Sequence, residues 1–168
     1  MELSVVVSQI VVLSFAGLAF WAAISDVRSL TIPNPVCLAI LVLYPVYALS
    51  AGHPVNWSGA LLVAGIVLSV GFVLFALRWA GGGDAKFFAV SALWAGPGLI
   101  VPFILYTALA GGAMAIILWL RHRLSRAATP AMVLVTAGDP EFHKQQMPYG
   151  AAIAVGALYV AQALLKGV

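Results

Sequence analysis

Charge is what this chain most lacks. Only 8% of its 168 residues are Asp, Glu, Lys or Arg and 64% are hydrophobic, whereas an ordinary soluble domain is about 25% charged and roughly 45–50% apolar. A water-soluble globule is excluded, and the chain belongs in a membrane. Cysteine is nearly absent too. The single one, Cys37, allows no internal disulfide and no cysteine-based zinc site. It follows Pro35 and Val36 at the start of an apolar run and reads as a packing residue. The eight basic residues outnumber the acids by only three, the modest excess that keeping basic residues on the cytoplasmic side requires, and nucleic acid is not an expected partner. At about 20 residues per crossing, the length accommodates six or seven helices and no separate soluble domain. The expectation is one integral-membrane domain over 1–168, all-α, with its activity in or at the edge of the bundle.

Apolar runs and their breaks predict six membrane helices: Leu3–Ser25, Pro35–Ala51, Trp57–Ala80, Ala85–Ala95, Leu99–Leu120 and Pro148–Leu165. The fourth is short for a ~30 Å hydrocarbon core, so it continues through Gly96-Pro97-Gly98 or the bilayer thins around it. The first run has no basic segment before it and exceeds the usual 7–15 residues of a signal-peptide core, which marks it as a retained helix. Ala19/Ala23 and Ala152/Gly156, at four-residue spacing, permit close helix–helix approach. Arg28 lies in the first loop, Arg78 and Lys86 flank the third, and Arg121, Arg123, Arg126 and Lys144 lie in the fifth. The second and fourth loops contain no Lys or Arg, so the odd loops are expected to be cytoplasmic and both termini external. The long stretch Arg121–Pro148 includes an apolar segment, Ala131–Ala137, suited to the membrane interface.

With five acids in the whole chain, the position of each is informative. Asp26 ends the first span and Asp84 lies between the third and fourth, and the topology puts both at the cytoplasmic face. One reading makes them solvated loop acids balanced by Arg28 and Lys86. The other makes them partners, since an ionisable residue at the membrane boundary is usually paired or functional. Gly81-Gly82-Gly83 immediately before Asp84 favours the second, because three residues without a Cβ allow unusual backbone angles and close approach. Two carboxylates sharing a site resist ionising together, which leaves one protonated and one basic. A base to activate water and an acid to hydrogen-bond a carbonyl are the requirements of amide hydrolysis by an aspartic dyad.

The segment Asp26-Val27-Arg28-Ser29-Leu30-Thr31-Ile32-Pro33-Asn34 resembles the first-aspartate motif of type IV prepilin peptidases, an Asp followed six residues later by Ile-Pro-Asn. Gly81-Gly82-Gly83-Asp84-Ala85-Lys86 resembles their Gly-x-Gly-Asp-x-Lys motif, and Pro148-Tyr149-Gly150 looks like the start of their final helix. The resemblance implies an intramembrane aspartic endopeptidase that removes the basic leader from prepilins or pseudopilins at the cytoplasmic face of the prokaryotic cytoplasmic membrane. In that reading Asp26 and Asp84 are the catalytic dyad. Gly81 and Gly83 shape the turn presenting Asp84, while Ile32, Pro33 and Asn34 support the first motif. Pro33 and Asn34 set the turn into the second helix. Lys86 either tunes the neighbouring acid, orients substrate, or is a cytoplasmic anchor. Larger family members add a cytoplasmic portion with paired Cys-x-x-Cys motifs, so methyltransferase activity and S-adenosylmethionine are not expected. The likeness is greatest to the short peptidases of tight-adherence (Flp, type IVb) pili, with archaeal preflagellin peptidases a near relative. No cofactor or metal is expected, and the sequence leaves the oligomeric state open.

Other constellations carry less. Asp139, Glu141 and His143 alternate, but no further ligand cluster fixes a metal geometry. His122 sits in the basic belt, and Ser4, Ser8, Ser14 and Ser69 lack a Lys or His partner motif and suit bonds to their own helix backbone. Trp21, Trp57, Trp79 and Trp119 read as interface anchors. Two other functions fit the composition. A proton-coupled transporter would need polar groups at mid-helix, where Gln9 and Gln162 are the most polar residues. A non-catalytic assembly subunit of a pilus or secretion system would have no need of both acids and the glycine turn.

Overall fold

The computed structural model describes residues 2–127 and 148–167, and its regular elements are all helices. They are α1 (Glu2–Ser29), α2 (Asn34–Ser50), α3 (Trp57–Ala76), α4 (Gly82–Ala127) and α5 (Tyr149–Leu165). Helices are the natural outcome for such a sequence, because hydrocarbon offers no water to backbone amides and each must bond within its own segment. α1, α3 and α4 are long and apolar enough to cross a membrane. α2 and α5 have 17 residues each, about 26 Å, a little less than the hydrocarbon thickness.

The all-α expectation holds, but the count of six helices is not matched exactly. The expected fourth and fifth spans belong to one 46-residue element, α4. Along a straight helix Phe88 and Phe103 would lie roughly 22 Å apart; their ring centroids are 4.9 Å apart. The chain therefore doubles back, and it does so at Gly96, whose φ of 53° and ψ of −170° are non-helical and lie in a region essentially reserved for glycine. Pro97 then starts the return limb with φ already preset. Limbs 82–95 and 97–127 run antiparallel without the loop the sequence reading placed between them.

Four boundaries also move. α1 continues to Ser29, so Asp26 sits within its last turn and not beyond the helix; Leu30, left-handed at φ 52°, donates its N–H to the Asp26 carbonyl at 2.8 Å and stops the helix there. α3 stops at Ala76, short of Ala80, with Arg78 left-handed at φ 61°. α4 begins at Gly82 and ends at Ala127, which puts Asp84 in its first turn and makes 121–127 helical. The 131–137 segment, Asp139, Glu141, His143 and Lys144 lie outside the described residues.

The centre of the bundle is α5. Its small residues Ala152, Ala154, Gly156, Ala157 and Ala161 are buried, which lets both α1 and α4 pack closely on it. At Gly156 an added methyl group would run into Thr107 Oγ1 and lie 2.8 Å from the Phe103 carbonyl oxygen. Farther from Asp84 along the first limb of α4, Trp94 stacks on Phe15 with centroids 4.3 Å apart, and its Nε1 donates to the Ile40 carbonyl at 3.1 Å. This joins α1, α2 and α4. Cys37 is buried, as a packing residue should be. Ser8, Ser14 and Ser69 donate to carbonyls of their own helices. Trp21, Trp79 and Trp119 are exposed, and Arg123 lies over the Trp119 ring.

Candidate active site

The three segments that carry the motifs meet at one end of the bundle. Asp26 enters from the last turn of α1, a position set by the turn that follows. Ser25 Oγ donates to the Thr31 carbonyl at 2.8 Å, Ser29 Oγ to the Ser25 carbonyl at 2.7 Å, and Thr31 Oγ1 to Ser29 Oγ at 2.9 Å. These bonds fold 30–32 back against α1 and press Ile32 inward, where it is buried. Pro33 then caps α2 in extended conformation, without a side-chain bond.

Asp84 enters from the first turn of α4. Gly81 accepts the first helical bond, from the Ala85 N–H at 3.1 Å, and its own N–H is accepted by the Asp84 carboxylate. That is one half of a capping box, and it aims Asp84 back over the glycine turn. A methyl group on Gly81 would lie 2.7 Å from Asp84 Oδ2, and one on Gly83 would lie 3.5 Å from Ile32 Cβ.

Two contacts tie the motifs together. Lys86 Nζ donates to Asn34 Oδ1 at 3.2 Å, linking the Gly-x-Gly-Asp-x-Lys and Ile-Pro-Asn segments directly. Ile32 fills the space beside both glycines that flank the site: a methyl group on Gly83 would meet its Cβ and one on Gly150 its Cδ1. Asp84 lies close enough to Asp26 to feel its charge. Of the eight residues singled out in the sequence, Asp26, Asp84, Gly81, Gly83, Ile32, Asn34 and Lys86 are brought together by these contacts, and Pro33 shapes the chain between them. Arg28 sits in the last turn of α1, where a cation complements the helix dipole.

The sequence reading missed the third wall. Asp26 is almost wholly buried, 4% exposed, and its carboxylate lies over the N-terminus of α5, where Ala151 donates its N–H to Oδ2 at 3.3 Å across 125 positions of sequence. The Gly150 N–H is a second donor. The first amides of a helix have no partner within it and attract negative charge, so Asp26 satisfies α5 while α5 holds Asp26. Gly150 leaves only just enough room: a methyl group there would lie 2.7 Å from Ile32 Cδ1 and 2.8 Å from Asp26 Oδ2. The signal lay in Pro148-Tyr149-Gly150, a proline before a helix start followed by a glycine. Among the described residues no three His, Cys, Asp or Glu side chains gather as a metal site would require.

Long apolar helices, with two aspartates converging at one end of the bundle, define a helical membrane protein with a candidate acid-pair site. A family model for type IV leader peptidases matches residues 13–116, which include both aspartate motifs and most of α4. The chain belongs to the type IV leader peptidase family. No curated protein and no solved structure matches it significantly.

Proposed function

We propose that this protein is an intramembrane aspartic endopeptidase that removes the basic leader from Flp-like type IV prepilins, with Asp26 and Asp84 as its catalytic dyad. The observation that carries the reading is the meeting of the two aspartate motifs, joined by the Lys86–Asn34 bond, around Ile32. In this scheme the ionised carboxylate takes a proton from water as its oxygen attacks the scissile carbonyl carbon. The protonated carboxyl hydrogen-bonds the carbonyl oxygen and then gives its proton to the departing amide nitrogen. No cofactor takes part. Lys86, held by Asn34, fixes the spacing of the two segments.

Arg28, Arg78, Lys86, Arg121 and Arg123 flank helix ends on the side of the acid pair, which supports a cytoplasmic active site in the prokaryotic inner membrane with both termini external. A substrate would present its leader junction at that depth and unwind locally, since helical amides are already bonded. Co-expression with an Flp-like prepilin tests the proposal. The expected result is a leader-length mass loss that disappears with Asp26→Asn and with Asp84→Asn. Wild-type cleavage by either variant refutes the dyad.

A further inference from the structure

Beside the acid pair lies a cavity of about 800 Å³, bounded by α3, both limbs of α4 and α5. Among the described residues lining it, Asp84 alone is charged. Ile66, Val70, Trp79 and Ile104 line it and are each about half exposed or more, so it opens sideways through an apolar flank. In a membrane that flank faces lipid. An occupant must therefore be apolar and arrive within the bilayer, and once seated it abuts Asp84.

Glycine positions show which walls are closed and which are open. A methyl group on Gly71 would lie 3.0 Å from Ala85 Cβ and one on Gly111 would lie 3.6 Å from Ala152 Cβ, so these two glycines serve helix packing within the fold. Gly112 also lines the cavity, and a methyl group there would meet nothing within 4 Å among the described residues. It presents bare backbone to the open space, the kind of surface on which a second apolar helix packs closely.

We infer that this cavity receives the apolar segment of the substrate on the membrane side of the scissile bond, entering laterally from the bilayer. The inference rests on the peptidase reading above. Its continuity with Asp84 is the argument for this occupant over an acyl chain: a peptide seated there has its scissile-bond end at the carboxylates.

The test compares Gly112→Leu with Gly17→Leu. Gly17, on α1, also has nothing within 4 Å of an added methyl group and does not line the cavity. A leucine there takes up space the substrate segment needs, so Gly112→Leu should raise KM for membrane-embedded prepilin roughly ten- to hundredfold with a smaller change in kcat. Gly17→Leu should change neither. In a Cys37→Ala background, a benzophenone on Gly112→Cys should crosslink the apolar segment of prepilin. Unchanged KM with Gly112→Leu, or crosslinks to lipid alone, overturns the inference while wild-type cleavage leaves the peptidase reading intact. A crosslink to prepilin without wild-type cleavage sinks the peptidase reading and leaves the docking site standing.

Discussion

Gly150 should act on cleavage through a carboxylate to which it is not adjacent in sequence. Replacing it with Ala puts a methyl group 2.8 Å from Asp26 Oδ2 and 2.9 Å from Asp26 Cγ, where ordinary contact begins at 3.4 Å. Ile32 Cδ1, at 2.7 Å, blocks the other side. The carboxyl group must then retreat by about 0.6 Å, and the Ala151 N–H bond, already 3.3 Å long, passes out of useful range. A misplacement of 1 Å in a catalytic group can cost about a hundredfold, so kcat should fall roughly ten- to thirtyfold with little change in KM. Overpacking also destabilises, by about 1–3 kcal/mol, and a control has to separate the two effects. Gly156→Ala provides it: the site is at least as crowded, against Thr107 and Phe103, but the methyl group does not reach Asp26. The assay is prepilin cleavage in detergent at several substrate concentrations, normalised to folded protein, with thermal melts of each variant. Gly156→Ala should melt early and cleave normally. Wild-type kcat in folded Gly150→Ala, or equal losses of kcat in both variants, would refute the reasoning.

Two further substitutions test the fold. Gly96→Ala meets no steric obstacle, since the nearest side-chain atom, Ala60 Cβ, is 3.8 Å away; its cost is the backbone angle alone, about 1–3 kcal/mol in unfolding. Gly98→Ala, with open space around it, should fall within about 0.5 kcal/mol of wild type, and equal melting of the two variants would discount the turn at Gly96. Trp94→Phe removes the bond from Nε1 to the Ile40 carbonyl, at a cost of about 0.5–1.5 kcal/mol. That contact lies well away from the acids, so its cleavage rate per folded molecule should equal wild type, and a selective loss of kcat would contradict the separation described here.

Much of this was legible because the medium is restrictive. In lipid an apolar run can only be a helix, so the runs around Phe15, Ile40 and Ile66 were found without knowing what they pack against. The scarcity of acids made Asp26 and Asp84 conspicuous, and the glycines before Asp84 marked a turn. The helix ends were harder to place, because a polar residue such as Asp26 looks like a terminus when it is the last buried group of a longer helix. The hairpin in α4 was half-read: Gly96-Pro97-Gly98 signalled a break, but nothing in the letters says that one glycine suffices to reverse a helix. The grip of α5 on Asp26 was invisible for another reason. Its donors are the backbone amides of Gly150 and Ala151, and every residue except proline has one, so only the fold decides which of them a carboxylate meets.

The dependence of Asp26 on α5 has a consequence for timing. Chains are made from the N-terminus, so α1 and both limbs of α4 are synthesised before the helix whose amides hold the first aspartate. Until α5 packs against them, Asp26 lacks its fixed partners and Ile32 lacks one wall. On the peptidase reading, a half-made copy is held idle by its own order of manufacture, and it becomes competent only when α5 closes on Asp26.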